Sequence, residues 1–323
     1  MNQNKTIAVL GAGTMGAGIA MQYAAYGHNV VLYSRTEATL ERARKTIEKS
    51  CLLYAQNQLV PEQDALTAKD RVSYTTSVSE AVADAWYVVE TVAERANIKI
   101  DLYKLLDELL PEDVLISSNT SYMNIFEFLP ERRQPYSTIV HWFAPAHILP
   151  LVEIIKGSQT EQNTVDKMVE FHKSCGKTPI CMDRYVPGFI INRLQGAMNR
   201  EIIYLLENNF CSAEAIDLAV KSSLMPRGLA VGVVEKYDFT GMDMASNGII
   251  NRTYTPAPAP SDNNILTTMA KSGLLGVKSG KGFYDYSHKP YEDVLADRDA
   301  QLLESVRLAN KFMDNPLYKT EEK

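Results

Sequence analysis

The run Gly11-Ala-Gly13-Thr14-Met15-Gly16 follows the apolar stretch Thr6-Ile-Ala-Val-Leu10 without a break and passes straight into the helix-length segment Ala17–Tyr26. Three glycines at this spacing, between a strand and a helix, serve three separate steric needs. The first permits a tight turn, the second lets a phosphate-bearing ligand approach the backbone, and the third lets helix pack on strand. The helix then turns its unpaired N–H groups toward the ligand, which favours negative charge. The alternative is a glycine-rich turn without ligand, and the strand and helix on either side weigh against it. A dinucleotide site is therefore expected, with Gly11, Gly13, Thr14, Met15 and Gly16 against the phosphates.

The rest of the first half repeats the same alternation. Candidate strands are Thr6–Leu10, Val30–Tyr33, Trp86–Glu90, Val114–Ser117, Thr138–His141 and Leu151–Ile155, with helical patterns at Ala17–Tyr26, Glu37–Gln58 and Ile98–Leu110. This predicts a Rossmann-type doubly wound α/β domain, a parallel sheet covered on both faces. A chain of 323 residues has room for a second domain. After Arg184 the pattern changes: Pro187-Gly188 opens an apolar-periodic segment through Leu206, and Ser212 reads as a helix N-cap. Thr255–Pro260 has prolines at alternate positions and cannot be helical, Gly282-Phe-Tyr-Asp-Tyr286 is strand-like, and Tyr291–Met313 reads as one last amphipathic helix. The boundary falls near 184–187, giving a dinucleotide-binding domain over 1–185 and an all-helical substrate and dimerisation domain over 186–323.

Composition excludes several classes. A formal charge of −6 with no basic run gives no footprint for nucleic acid. No apolar stretch is long enough to span a membrane. Met1–Lys5 leaves no room for a signal peptide before the first strand, so a cytoplasmic location is expected. Cys51, Cys175, Cys181 and Cys211 form no CxxC pair and read as buried free thiols. Without an HExxH or a similar ligand cluster, no metal site is expected.

Several polar residues stand where chemistry needs them. The second strand ends Tyr33-Ser34-Arg35, with no acid for a ribose 2′-hydroxyl, and Arg35 is placed to pair with a 2′-phosphate, so NADP is favoured with NAD as the alternative. An arginine simply facing solvent is the competing explanation. His141 ends one apolar strand and Glu153 interrupts another, Leu151-Val-Glu-Ile-Ile155. If the strands are neighbours, Glu153 orients the imidazole and stabilises its charged form, as proton removal from an alcohol requires. A structural ion pair closing the sheet explains the two residues equally well. Ser118-Asn-Thr-Ser121 falls at the carboxyl edge of the sheet, where ligands of open α/β sheets bind, although such clusters are also ordinary turns. Asn192 sits within the otherwise apolar Gly188-Phe-Ile-Ile-Asn-Arg-Leu194 and reads either as a substrate contact or as a link between helices.

Taken together, these segments resemble the 3-hydroxyacyl-CoA dehydrogenase family from Lys5 to about Tyr286. The resemblance rests on Gly11–Ala20, Val88-Val-Glu90, Ser118–Ser121, His141-Trp-Phe-Ala-Pro145, Leu151–Ile155, Pro187–Leu194 and Lys278-Ser-Gly-Lys-Gly-Phe-Tyr284. It implies an oxidoreductase of fatty acid metabolism with His141 and Glu153 as the acid/base pair and Ser121 and Asn192 on the reacting oxygen. It also implies cofactor contacts from Glu94, Lys99 and Lys278, a substrate contact from Ser50, and a homodimer formed through the C-terminal domain. Three positions depart from the family pattern: Ser34 replaces an acid, Ala144 an asparagine, and Asn57 a lysine directed at CoA phosphates. The last weakens the case for a CoA thioester and brings in relatives acting on free hydroxy acids, such as gulonate or carnitine dehydrogenases. Arg193, Arg227 and Lys236 are then candidates for the carboxylate. A non-catalytic dinucleotide-binding protein is the remote alternative, and the four polar site residues argue against it.

Overall fold

The structure is a computed structural model describing residues 6–251 and 254–318. Met1–Lys5, on which the expectation of no leader rests, lie outside the described residues. The chain divides into two compact units, Met1–Asn192 and Arg193–Lys323, so the stretch Val186–Asn192 belongs with the first unit.

The first unit is built on one eight-stranded sheet. Its strands are β1 (Thr6–Leu10), β2 (Val30–Tyr33), β3 (Val72–Thr75), β4 (Ala85–Glu90), β5 (Leu115–Ser118), β6 (Ser137–Trp142), β7 (Leu151–Lys156) and β8 (Thr178–Met182). Their order is β3-β2-β1-β4-β5-β6-β7-β8. The helices are α1 (Thr14–Ala25), α2 (Glu37–Asn57), α3 (Glu62–Thr67), α4 (Val78–Val82), α5 (Ala96–Leu109) and α6 (Gln162–Ser174).

Alternation along the strands sorts the core into two layers. Ile7 and Val9 of β1 pack with α1, α2 and α6, while Ala8 and Leu10 pack with α4 and α5 on the other face. Strand order reverses between β1 and β4, and at such a switch point the carboxyl ends of the strands open a crevice for ligand.

The wholly parallel sheet expected from the alternation is corrected at one side. β7 runs antiparallel to β6, because only the eight-residue connection 143–150 joins them, too short for a crossover helix. β8 runs parallel to β7. β3 and β8, absent from the sequence reading, are the two edge strands. β8 carries Pro179, tolerated there because an edge strand need not donate on both sides. The cysteine expectation holds for Cys51 and Cys175 only: Cys181, on the edge strand, is exposed, and Cys211 is half-buried.

The second unit is helical. α7 (Ile191–Glu207) starts three residues after Gly188, whose φ of +78° is not helical, and is followed by α8 (Ala213–Ala219), α9 (Met225–Val231), α10 (Lys236–Thr240), α11 (Met242–Ile250), α12 (Ile265–Lys271) and α13 (Tyr291–Met313). Ser212 caps α8, its hydroxyl accepting from the Ala215 N–H at 3.2 Å. The Gly282–Tyr286 segment forms no strand; isolated bridges pair Lys281 with Gly276 and Asp285. Among the described residues no helix is long and apolar enough to cross a membrane.

Candidate active site

The β1–α1 turn shows why each glycine is required. Gly11 has φ +123°, and a Cβ there would stand 2.5 Å from the Thr91 carbonyl oxygen after β4. A Cβ on Gly16 would lie 1.7 Å from the Gly11 carbonyl oxygen, so no side chain fits. A Cβ on Gly13 would meet nothing within 4 Å. Gly13 is also the N-cap of α1, with no side chain bonded to the helix end and no acid in its first turn. Open space above uncapped N–H groups fits a dinucleotide pyrophosphate at Gly11, Gly13, Thr14, Met15 and Gly16.

Ser34, at the end of β2, is buried and its N–H donates to the Thr75 carbonyl at 3.2 Å. Arg35 is exposed and makes no hydrogen bond or ion pair among the described residues.

Antiparallel pairing sets His141 directly opposite Glu153. His141 Nδ1 and Glu153 Oε2 are 2.8 Å apart, and both side chains are buried. The other carboxylate oxygen accepts the N–H groups of Ile190 at 2.9 Å and Ile191 at 3.0 Å, where α7 begins. Glu153 is thus held at both oxygens, and with Nδ1 committed to it, the imidazole keeps Nε2 for other work. That nitrogen has no partner among the described residues and is not one of the enclosed, unsatisfied polar atoms. The rings of Phe143 and Phe189 flank His141, with centroids 4.5 and 5.3 Å away.

The motif after β5 folds around Glu94. The Thr120 hydroxyl and the Ser121 N–H (3.0 Å) both donate to Glu94 Oε1, while Lys99 Nζ stands 3.1 Å from Oε2. Asn192 Nδ2 donates to the Ser121 carbonyl at 3.3 Å, bringing these two predicted residues together. The Ser121 hydroxyl has no partner among the described residues and remains available to a ligand.

Other predicted residues stand apart. Lys99 is buried and bonded to Glu90 at 2.8 and 2.7 Å besides Glu94, so its three protons are matched by carboxylate oxygens and it holds Glu94 in place. Ser50 lies on the core-facing stripe of α2 and donates to the Thr46 carbonyl at 2.9 Å. That back-bond directs the hydroxyl proton into its own helix. Asn57 donates to the Leu53 carbonyl at 2.9 Å in the same way. Lys278 is exposed on the turn Val277–Ser279, and Arg193, Arg227 and Lys236 also belong to the second unit.

Two contributors went unassigned in the sequence reading. Glu90 accepts from Lys99, the Tyr103 hydroxyl (2.8 Å), the Ser118 hydroxyl (2.6 Å) and the Val92 N–H (2.8 Å). Asn119 Oδ1 accepts the Trp142 N–H at 2.8 Å, tying this motif to the residue after His141. The signal for Glu90 was a carboxylate closing an apolar strand; for Asn119 it was only its place within the Ser118–Ser121 motif. Among the described residues no group of His, Cys, Asp and Glu could hold a metal.

A family profile described as "3-hydroxyacyl-CoA dehydrogenase, NAD binding domain" matches residues 6–185, and one described as its C-terminal domain matches 188–286. The chain belongs to the 3-hydroxyacyl-CoA dehydrogenase family. Within it, the chain is 34% identical over 286 residues to a 3-hydroxybutyryl-CoA dehydrogenase of Clostridioides difficile, covering 87% of this chain and 99% of the relative. Of solved structures, (S)-3-hydroxybutyryl-CoA dehydrogenase from Ralstonia eutropha is 30% identical, with a TM-score of 0.68 over 87% of this chain and 99% of that one. A 5-formyl-3-hydroxy-2-methylpyridine 4-carboxylic acid 5-dehydrogenase, described as an NAD+ dependent dismutase, is 27% identical. It superimposes with a TM-score of 0.82 over 95% of this chain and 98% of that one. The His141–Glu153 pairing and the β1–α1 turn therefore stand within an oxidoreductase family that handles a CH–OH group.

Proposed function

We propose that the chain interconverts an L-3-hydroxyacyl compound and its 3-oxo form, with His141 as acid/base. The observation that carries this is the His141–Glu153 bond through Nδ1, which leaves Nε2 to a substrate oxygen. In oxidation Nε2 takes the hydroxyl proton, and Glu153 stabilises the imidazolium; in reduction the proton returns. The Ser121 hydroxyl and the Asn192 amide bind and orient that oxygen. A dinucleotide bound over Gly11–Gly16 supplies the hydride acceptor or donor.

We take NAD as the cofactor, on the description of the matching profile and of the pyridine-acid relative. The case for NADP rests on Ser34 and the unpartnered Arg35, and kcat/KM with both cofactors decides between them. A wild type strongly preferring NADP, with Arg35→Ala losing mainly NADP activity, would overturn the choice of NAD.

A second reading keeps the chemistry and replaces the CoA thioester with a small free acid. It is favoured by the greater TM-score and coverage of the pyridine-acid relative and by the absence of a basic residue between Cys51 and Val60. Cofactor absorbance with a panel of 3-oxoacyl-CoAs and free 3-oxo acids separates the two readings, and turnover of neither would sink both. The second unit exposes Leu218, Val234, Phe239, Met244, Ile249 and Ile250. Apolar area of this kind supports a homodimer, read by light scattering as twice the 36.1 kDa chain mass.

A further inference from the structure

On the sheet face opposite His141 lies a buried ammonium without a carboxylate partner. Lys177, between α6 and β8, donates to the carbonyls of Ala146 at 2.7 Å and Leu149 at 3.0 Å. Its Nζ stands 4.7 Å from the centroid of the Trp142 ring. The other buried lysine and arginine side chains among the described residues, Lys99 and Arg133, each have an acid. Burying an unpaired ammonium is costly, and its compensation here is two carbonyls and an indole face.

Those partners lie within one continuous stretch, from the end of β6 into the turn that follows. Ala146 and Leu149 lie in the connection 143–150 that joins the strands of His141 and Glu153. Trp142 stands between His141 and Phe143, and its backbone N–H donates to Asn119 Oδ1 of the Ser121 motif. Phe143 in turn packs against the imidazole. The Tyr54 hydroxyl adds a third tie, at the His147 carbonyl, 2.5 Å away.

We propose that Lys177 is a positioning residue, which fixes the β6–β7 connection and the Trp142 ring from the far side of the sheet and so sets the stance of Phe143 and His141 toward substrate. This rests on the dehydrogenase reading of the site. The charge matters as well as the reach: a neutral amine keeps donors for the two carbonyls but loses its attraction to the indole and the strength of a charged donor. Burial pushes the ammonium down to about 7. Of the titratable groups around it, burial pushes the Cys175 thiol up to about 12, lowers the His172 imidazole to about 4, and raises the Tyr23 and Tyr54 hydroxyls. His147, on the same connection, is the group a control must address.

The chain has two tryptophans, so Trp86→Phe isolates the Trp142 emission. In that background emission should titrate with a midpoint near 7, persist in His147→Gln, and vanish in Lys177→Met. Lys177→Met should also lower kcat tenfold or more with cofactor KM within about twofold, and Lys177→Arg should recover most of kcat. Emission that is flat across the range, or that still titrates in Lys177→Met, overturns the proposal. So does an unchanged kcat in Lys177→Met. If Lys177→Met does not fold, Lys177→Gln, which keeps a donor without the charge, takes its place, and an unchanged kcat there overturns the proposal. A protein that titrates as expected but turns over no hydroxy or oxo substrate would overturn the dehydrogenase reading instead.

Discussion

On the mechanism proposed above, His141 and Glu153 act as one unit, and their variants should behave accordingly. His141→Gln keeps a hydrogen bond but removes proton transfer, so turnover should fall ~10²–10⁴-fold with cofactor affinity little changed. Glu153→Gln should also slow turnover, and the double variant should lose little beyond His141→Gln alone, since residues acting together are not additive. Steady-state kinetics of the three proteins checks this; fully multiplicative losses would separate the pair. Both residues were legible because a polar side chain inside an apolar strand demands a partner. Lys177 was not legible, because Gly176-Lys177-Thr178 reads as an ordinary surface turn. For Ser50 the sequence offers family position alone, and α2 directs its hydroxyl proton onto the Thr46 carbonyl.

At the level of elements, the β1–α1 turn separates two uses of glycine that look alike in sequence. Gly16→Ala places a Cβ against the Gly11 carbonyl and should destabilise the protein by roughly 2 kcal/mol or more, read as a lower Tm. Gly13, with φ −71°, accepts alanine without strain, and its added methyl occupies open space. Gly13→Ala should therefore leave Tm unchanged and weaken dinucleotide binding about tenfold, or about 1.4 kcal/mol. Equal effects on Tm would show that the turn is not built as described. The same scale shows what the sequence could convey of the fold. All six strands read from it are the sheet's inner ones, apolar because both faces are covered; the two missed, β3 and β8, are edges with fewer apolar residues. The reversal at β7 is carried by connection length rather than by residue type, so alternation alone suggested a wholly parallel sheet.

For the molecule as a whole, one buried histidine ties stability to acid. His172 is fully buried, with Nδ1 on the Met168 carbonyl at 2.7 Å and Nε2 on the Tyr23 hydroxyl at 3.0 Å. Burial lowers its pKa to about 4. The unfolded chain, with histidine near 6.5, binds this proton first, so stability is full above about pH 6.5 and is lost as pH falls toward 4. The loss is on the order of 3 kcal/mol at the bottom of that window. Lys177 shifts the same way but acts between about 7 and 10.5, where stability falls as pH is lowered, and it adds nothing below that range. Tm measured from pH 7 to 4.5 should fall, and less steeply in His172→Gln than in wild type. Parallel slopes would assign the acid sensitivity to other groups.

The antiparallel return of β7 has a consequence for how such a site can be passed on. The pair proposed to handle the proton lies within the contiguous stretch Ser137–Lys156, and facing register sets its members opposite each other. A single short hairpin therefore carries both members of the pair as one piece, while the Ile190 and Ile191 N–H groups and the Lys177 ammonium that hold it come from elsewhere in the chain. Ser121 and Asn192 come from distant stretches and can drift separately. Heritable modularity of this kind would let the pair persist while the groups proposed to orient the substrate oxygen are replaced one at a time.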